Sequence, residues 1–383
     1  MTVPLSPRTP LALVAGVGAV LALSACDSKD SASGGSAPGG PIKVEASDTS
    51  CTVATKTANA GNVTFEITNK GTKVTEFYLY AEGDRIMGEV ENIAPGLNRR
   101  LIVEVPDAGK YQTACKPGMV GDGIRGDFTI TGGAQKQGDT NAQKAEATKS
   151  YATYVANNSA ALETETAKFV DLVKAGKLDE AKAEYAPTRV FYERIEPVAE
   201  KFGDLDPAID VREADLEPGQ QFTGFHRLEK DLWVTGLKPD SSQVADKLLT
   251  DVKDLVAKTK TLQLSALDLA NGAKGLLDEV ATGKITGEEE TFSHTDLWDF
   301  QANVDGSKGA IASLRPILQQ RDPALVSTLD KQFANVQSLL DKTRSGDGFK
   351  YYNQLSQDEI KAFASAVDAL SEPLSKVAEV VSQ

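Results

Sequence analysis

Histidine and tryptophan are scarce in this chain of 383 residues, with two of each, and the histidines, His226 and His294, lie far apart. That scarcity excludes a His-Glu-x-x-His zinc-protease helix, which needs two imidazoles at i and i+4 around a general base. No convincing serine triad can be assembled, so peptidase chemistry is disfavoured and the chain is read as a non-enzyme. Positive charge is also short: 41 Lys and Arg stand against 55 Asp and Glu, a net charge of −14. Nucleic-acid binding needs a basic face, and this balance argues against it. The acid excess is compatible with cation binding, although solvated acidic surfaces are common. Beyond residue 26 no stretch is apolar enough to span a bilayer, so any membrane attachment would be through lipid. Cysteine is limited to three.

What is present begins with an export signal. Leu11 to Leu23 is an apolar run preceded by one charge, Arg8, and it ends in Leu23-Ser24-Ala25-Cys26. It has the length of a signal-peptide core and is short for a transmembrane helix. Small residues before a cysteine, after such a core, resemble the bacterial lipobox, which makes Cys26 the expected lipidation site and mature N-terminus. Residues 1–25 are then the signal peptide, and 26–40 are a flexible tether with nothing to build a core. Loss of Arg8 with the signal takes the net charge from −14 to −15. The expected location is extracytoplasmic, at the cell envelope.

Two hydrophobic periods divide the rest. In 41–131, Val63, Phe65 and Ile67 alternate with polar residues, as do Leu101, Val103 and Val105 with Ile102 and Glu104. Short alternating runs between turn signals such as Ala94-Pro95-Gly96 predict a small antiparallel sandwich. A polar linker is expected at 132–141. From 142 to 383 the period becomes helical: Tyr151, Val155, Leu162, Phe169 and Val173 share one stripe, and Val244, Leu248, Val252, Leu255 and Leu262 another, with Ser241 or Ser242 as N-cap. Breaks are expected at Ala175-Gly176 and Gly283-Lys284. The pattern predicts an antiparallel helical bundle.

Both histidines and both tryptophans fall in two short segments, Gly224-Phe225-His226-Arg227-Leu228-Glu229 with Trp233, and Ser293-His294-Thr295-Asp296-Leu297-Trp298. His226 and Glu229 sit at i and i+3 and share a helical face. An imidazole and a carboxylate so placed suit iron or zinc. Glu193 and Glu196 share a face in the same way, and Asp206, Asp210, Glu213 and Asp215 follow; some would complete a carboxylate-rich shell and others pair with Arg194 and Arg212. The competing interpretation makes the His and Trp residues packing elements of the bundle core.

The runs Tyr192-Glu193-Arg194-Ile195-Glu196-Pro197, Gly224 to Glu229 and Ser293 to Asn303 resemble the EfeO family, and Gly88-Glu89-Val90-Glu91-Asn92-Ile93-Ala94-Pro95-Gly96 is similar to that family's cupredoxin-like domain. The resemblance covers residues 41–383. It implies a cupredoxin-like Greek-key β-sandwich followed by an imelysin-like antiparallel bundle. It further implies a lipid-anchored iron-uptake component that binds iron and delivers it to a membrane permease, beside a haem-type peroxidase, with His226 and Glu229 as the metal motif. Some imelysin-like relatives bind acidic polysaccharide, so a binding module for such a polymer or for a protein partner is the alternative.

The sandwich holds no histidine, which argues against a blue-copper centre. Two arrangements of its cysteines stay open. With Cys26 modified, Cys51 and Cys115 form an even pair, and in an oxidising compartment such a pair is usually a disulfide, stabilising by about 4 kcal/mol. Otherwise they are thiolate ligands of a second metal, with Met119 and a carboxylate from Glu76, Glu89 or Glu91. Carboxylates would suit ferric iron, and sulfur ligands cuprous copper. The plainer interpretation of Glu89 and Glu91 is a solvated edge strand.

Overall fold

The computed structural model describes residues 40–132, 140–216, 219–282 and 284–383. Cys26, the signal peptide, nearly all of the tether and most of the linker lie outside the described residues. Among the described residues no helix is long and apolar enough to cross a membrane.

Nine strands build a β-sandwich: β1 (Ile42–Ala46), β2 (Cys51–Val53), β3 (Thr57–Asn59), β4 (Gly61–Asn69), β5 (Thr75–Tyr80), β6 (Ile86–Ile93), β7 (Asn98–Val105), β8 (Gly109–Pro117) and β9 (Ile124–Thr131). One sheet runs β2-β1-β4-β7 and the other β3-β9-β8-β5-β6. The alternation read from the sequence places Val63, Phe65 and Ile67 of β4 and Leu101, Val103 and Val105 of β7 in the shared core. The sandwich is not purely antiparallel, since β1 lies parallel to β4 and β3 parallel to β9. In each case intervening strands supply the length that a parallel crossover needs.

Cys51 on β2 and Cys115 on β8 are joined by a disulfide, with Cα atoms 5.5 Å apart, that ties one sheet to the other. The thiolate-ligand arrangement is therefore corrected. Strand parity gives the physical reason. Cys115 pairs with Phe77 and faces the apolar core, whereas Glu76 neighbours Phe77 on β5 and points to the opposite face. Met119 lies in the turn after β8, exposed and at φ 60°.

Among the described residues ten helices follow: α1 (Thr140–Lys174), α2 (Leu178–Glu193), α3 (Leu205–Asp210), α4 (Gly224–Lys230), α5 (Ser241–Thr259), α6 (Ala266–Thr282), α7 (Asp296–Arg321), α8 (Pro323–Lys342), α9 (Gln357–Leu374) and α10 (Val377–Ser382). The α1 stripe from Tyr151 to Val173 is buried, as are Val244, Leu248, Val252 and Leu255 of α5. Leu262 lies past the end of α5, half-buried against the same core. Helix α1 stops where expected, with Gly176 at φ +68°, a left-handed position that favours glycine at a helix end. The predicted serine cap on α5 is corrected. Asp240 occupies the cap position, and the Ser241 hydroxyl instead accepts from the Lys238 N–H and donates to Asp231.

The edge strand β6 is not bathed in solvent on its outer side. It packs with β7 against α6. Ile102, which alternates out of the sandwich core, joins the apolar core of the bundle, and its carbonyl accepts from Asn271 at 2.9 Å. Asn62 likewise donates to the Ser382 carbonyl at 2.9 Å.

Candidate metal centre

The heart of the bundle is charged. Arg189 on α2 and Lys284, in the turn after α6, are fully buried, and around them lie Glu193, Asp210, His226, Glu229, Glu289, Glu290 and Asp299. Buried charge is tolerated only when paired.

Local backbone features bring these groups together. Gly224, at φ +80°, opens α4 so close to α3 that a Cβ there would collide with the Ile209 carbonyl. That close approach sets His226 beside Asp210, the next residue after Ile209. After Lys230 the α4 backbone continues as a π-helical turn, Asp231–Thr235, a distortion common at functional sites.

His226 is 2% exposed. Its Nδ1 lies 3.3 Å from Glu229 Oε2. The other Glu229 oxygen, Oε1, accepts the backbone N–H groups of Phe292 and Ser293 at 2.9 and 2.6 Å. The opposite ring nitrogen, Nε2, makes no hydrogen bond. It faces Asp210 Oδ1 at 3.6 Å and Glu289 Oε1 at 3.7 Å. Two sets of donors are thus compact enough for an ion: Asp210, His226 and Glu289 on one side of the ring, and His226, Glu229 and Glu290 on the other. A cleft of about 240 Å³, lined by Arg212, Glu213, His226, Glu229, Glu289 and Phe292, reaches this place.

Glu193 and Glu196 belong to the same centre but are otherwise engaged. Lys284 Nζ contacts Glu193 Oε2 and both Glu196 oxygens at 2.8 Å. Asn303 donates to Glu193 Oε2 at 2.9 Å and to Glu196 Oε2 at 2.6 Å. Arg189 pairs with Glu193 at 2.5 Å, with Glu290 at 2.5 Å, and with Asp210.

Electrostatics sort the carboxylates. Burial alone would raise Glu193 and Glu289, but Lys284 and Arg189 outweigh it and hold both below the ordinary carboxylate value, with His226 helping at Glu289. Glu229 is also lowered, its burial overcome by His226 and the backbone donors. Burial drives Glu290, Asp299 and Glu196 upward, and raises Asp206 and Asp296 to about 6 and Glu279 to about 7. His226 is opposed by burial and Arg189, yet its contact with Glu229 and the facing Glu289 and Asp210 carboxylates lift it to about 9. The acids of the centre outnumber its cationic side chains, Arg189, Lys284 and His226.

The sandwich carboxylates sit elsewhere. Glu76 is buried and accepts from Tyr78 Oη at 2.9 Å, and the same hydroxyl lies 3.4 Å from Glu91. Glu89 and Glu91 line a cavity of about 210 Å³ between sandwich and bundle, together with Glu196, Glu200, Asp206 and Asp268. They are neither gathered with Met119 nor left on a solvated edge.

Arg189, Lys284, Glu289 and Glu290 escape the sequence reading as site residues. Two signals were available: the i, i+4 pair Arg189 and Glu193, and the run Glu288-Glu289-Glu290 just before Ser293-His294. His294, by contrast, falls outside both candidate ligand groups. Its segment contributes the Ser293 N–H to Glu229 and the carboxylates of Asp296 and Asp299. The tryptophans are packing residues, Trp233 against Tyr185 and Trp298 against Phe349, with ring centroids 5.4 Å apart in each pair.

Comparison with known proteins adds independent findings. Residues 147–377 match the imelysin family, and residues 14–130 match the cupredoxin-like domain. The chain is 40% identical over 346 residues to proteins named iron uptake system component EfeO from Escherichia coli O157:H7, Escherichia coli strain K12 and Shigella flexneri. Each match covers 89% of this chain and 91% of the relative. A reduced auracyanin from Roseiflexus castenholzii aligns with 26% of this chain and 100% of its own, at 16% identity and a TM-score of 0.21, too low to bear on the fold.

Proposed function

Since this chain belongs to the EfeO family, we propose that it is an extracytoplasmic, lipid-anchored component of an iron-uptake system that binds iron at His226 and delivers it to a membrane permease. The observation that carries the iron site is the unpaired, buried His226 Nε2 held between the Asp210 and Glu289 carboxylates. A histidine that ligates a metal through one nitrogen typically gives the other N–H to a carboxylate, which fixes its orientation. Glu229 is built for that second role: two backbone donors hold one oxygen while the other meets Nδ1. In this reading His226, Asp210 and Glu289 hold the ion, and Glu229 orients the imidazole rather than sharing the metal with it. Glu193 and Glu196, expected as ligands from the sequence, are left outside the ion's first contacts in this proposal, since both are paired with Lys284.

A mixed nitrogen and oxygen donor set suits iron. Binding displaces the proton that His226 otherwise carries, so uptake releases protons and acid favours release. The permease and the haem-type peroxidase are proposed as partners on the strength of the family, and Cys26 as the lipidated residue on the strength of its motif. The second metal location once expected in the sandwich keeps only its carboxylates. The acid-lined cavity at Glu89 and Glu91 would suit a hard cation such as ferric iron, and the disulfide leaves copper no thiolate there. The polysaccharide-module reading, with the His segments as core, loses support at His226, which lies among charged groups rather than hydrocarbon.

Anaerobic titration calorimetry with ferrous iron tests the site. His226→Ala is expected to weaken binding by about 100-fold or more, and Glu229→Gln by about 10- to 100-fold as an orienting residue. Unchanged affinity in a folded His226→Ala variant would remove iron from this centre.

A further inference from the structure

The centre has more carboxylates than one ion requires. Glu193 comes from α2, Glu196 from the turn after it, Asp210 from α3, Glu229 from α4, Glu289 and Glu290 from the loop before α7, and Asp299 from α7 itself. Carboxylates projecting inward from several helices, together with a histidine, are the donor inventory of two-metal bundles, in which ions stand about 3.5–4 Å apart and share a bridging carboxylate. Here one part of that inventory is taken by a side chain. Lys284 Nζ touches three carboxylate oxygens at 2.8 Å and lies 3.7 Å from Glu289 Oε1. Glu289 Oε1 is also 3.7 Å from His226 Nε2. Glu289 therefore stands between the imidazole and the ammonium as a bridging carboxylate stands between two metals.

Resting on the iron-site reading above, we propose that Lys284 is a tethered cation filling the second cation position of this centre, so that the protein takes up one metal ion there rather than two. Three features of the structure support it. Lysine is a compact point charge with no acceptor, so its contacts imitate those of a small ion. The Lys284 side chain is 0% exposed, and its ammonium meets carboxylate oxygens of Glu193, Glu196 and Glu289. Asn303 donates to the same two carboxylates, Glu193 and Glu196, which fixes them around Nζ independently of any metal. Because it is covalently attached, this cation cannot leave with the cargo. The carboxylates on its side stay paired when the ion at His226 is given up, so release demands the neutralisation of one ion's ligands only. Arg189 does the same on the Asp210 and Glu290 side.

Manganese(II) is the probe, since it shares the charge and oxygen preference of ferrous iron and reports a neighbouring Mn²⁺ through spin coupling in its EPR spectrum. The wild-type chain is expected to bind an uncoupled Mn²⁺ that is lost in His226→Ala. Lys284→Met, which keeps the side-chain length and removes the charge, is expected to take up one further Mn²⁺ and show a coupled pair. Lys284→Arg, which keeps the charge, is expected to match wild type in metal count. A folded Lys284→Met chain with no additional Mn²⁺ overturns the proposal. So does a coupled pair in the wild-type protein, a result that needs no variant to fold. Absence of any His226-dependent Mn²⁺ in wild type would instead remove the iron-site reading. A Mn²⁺ gained by Lys284→Met in that case, independent of His226, would still uphold the role of Lys284.

Discussion

The sandwich and the bundle bury their interiors by opposite means. The sandwich core is hydrocarbon: Phe65 packs on Phe77 and Phe128 at 5.0 and 5.4 Å between ring centroids, and Cys51–Cys115 staples the sheets across it. Its acids, Glu76, Glu89 and Glu91, are kept on the outer face. The bundle has an apolar shell around a charged heart in which Arg189 and Lys284 are fully buried. Hydrocarbon burial favours folding at roughly 25 cal/mol per Å², whereas each buried ion costs several kcal/mol before pairing offsets it. A cluster of buried ionisable groups is thus a poor way to stabilise a bundle. It is a good way to hold a cation.

The largest expected effect comes from removing the hub of the charged heart. Arg189→Met leaves Asp210 and Glu290 without their cationic partner and Glu193 with Lys284 alone. Loss of one partner of a buried pair destabilises by about 3–5 kcal/mol. Both tryptophans, Trp233 and Trp298, lie in the bundle, so their fluorescence follows its unfolding alone. Hydrogen exchange in β4 and β7 should stay protected while the helices around α2 lose protection. A variant that melts with the parent would mean that the buried charges are indifferent to Arg189.

The matching perturbation of the sandwich is Cys51→Ser with Cys115→Ser. Loss of the cross-link is expected to lower stability by about 2–4 kcal/mol, read as lost exchange protection in the strands. Iron affinity at His226 should not change, because distant sites act independently. A fall in affinity would show that the sandwich shapes the metal centre through its contact with α6.

Much of this contrast is legible in the chain. Period-two alternation in Val63 to Ile67 and the helical stripe from Tyr151 to Val173 each predict their own burial, because one face of an element must be apolar wherever it meets a core. His226 and Glu229 stand out by rarity and spacing. The identity of their neighbours is not legible, since Asp210 and Glu289 come from separate segments and meet His226 only through tertiary packing. Glu193 and Glu196 share a face as expected, yet nothing local says that Lys284 will sit between them. Strand parity could have separated Cys115 from Glu76 once their pairing was known, but register is not visible from one strand alone. The same parity puts Glu89 and Glu91 on one side, and only the docked bundle decides that the side is covered.

The smallest expected effect concerns pH. A surface carboxylate held by donors in the folded state adds stability as it ionises. Glu359, held at about 2 by the Ser356 backbone and by Lys350, has no slope left near neutrality. The bundle's surplus acids behave in the reverse sense. Burial raises Asp206 and Asp296 from 3.8 to about 6 and Glu279 from 4.5 to about 7, so between the two values the folded state holds protons that the unfolded chain has lost. Stability of the metal-free bundle must then fall as pH rises through that window. His226 adds to the trend: raised from 6.5 to about 9, it contributes fully below the lower value and loses that contribution as pH climbs to the higher. Glu193, Glu229 and Glu289 are lowered, hence ionised in both states above the ordinary carboxylate range, and do not oppose it there. The tryptophan-reported melting midpoint of metal-free protein should therefore decrease from about pH 5 to about pH 8. Bound iron takes the place of the protons, so the loaded protein should show a flatter or inverted profile. A midpoint that rises with pH in the metal-free protein would mean that the interior acids are already ionised and paired, and that the charged heart has no vacancy for a cation to fill.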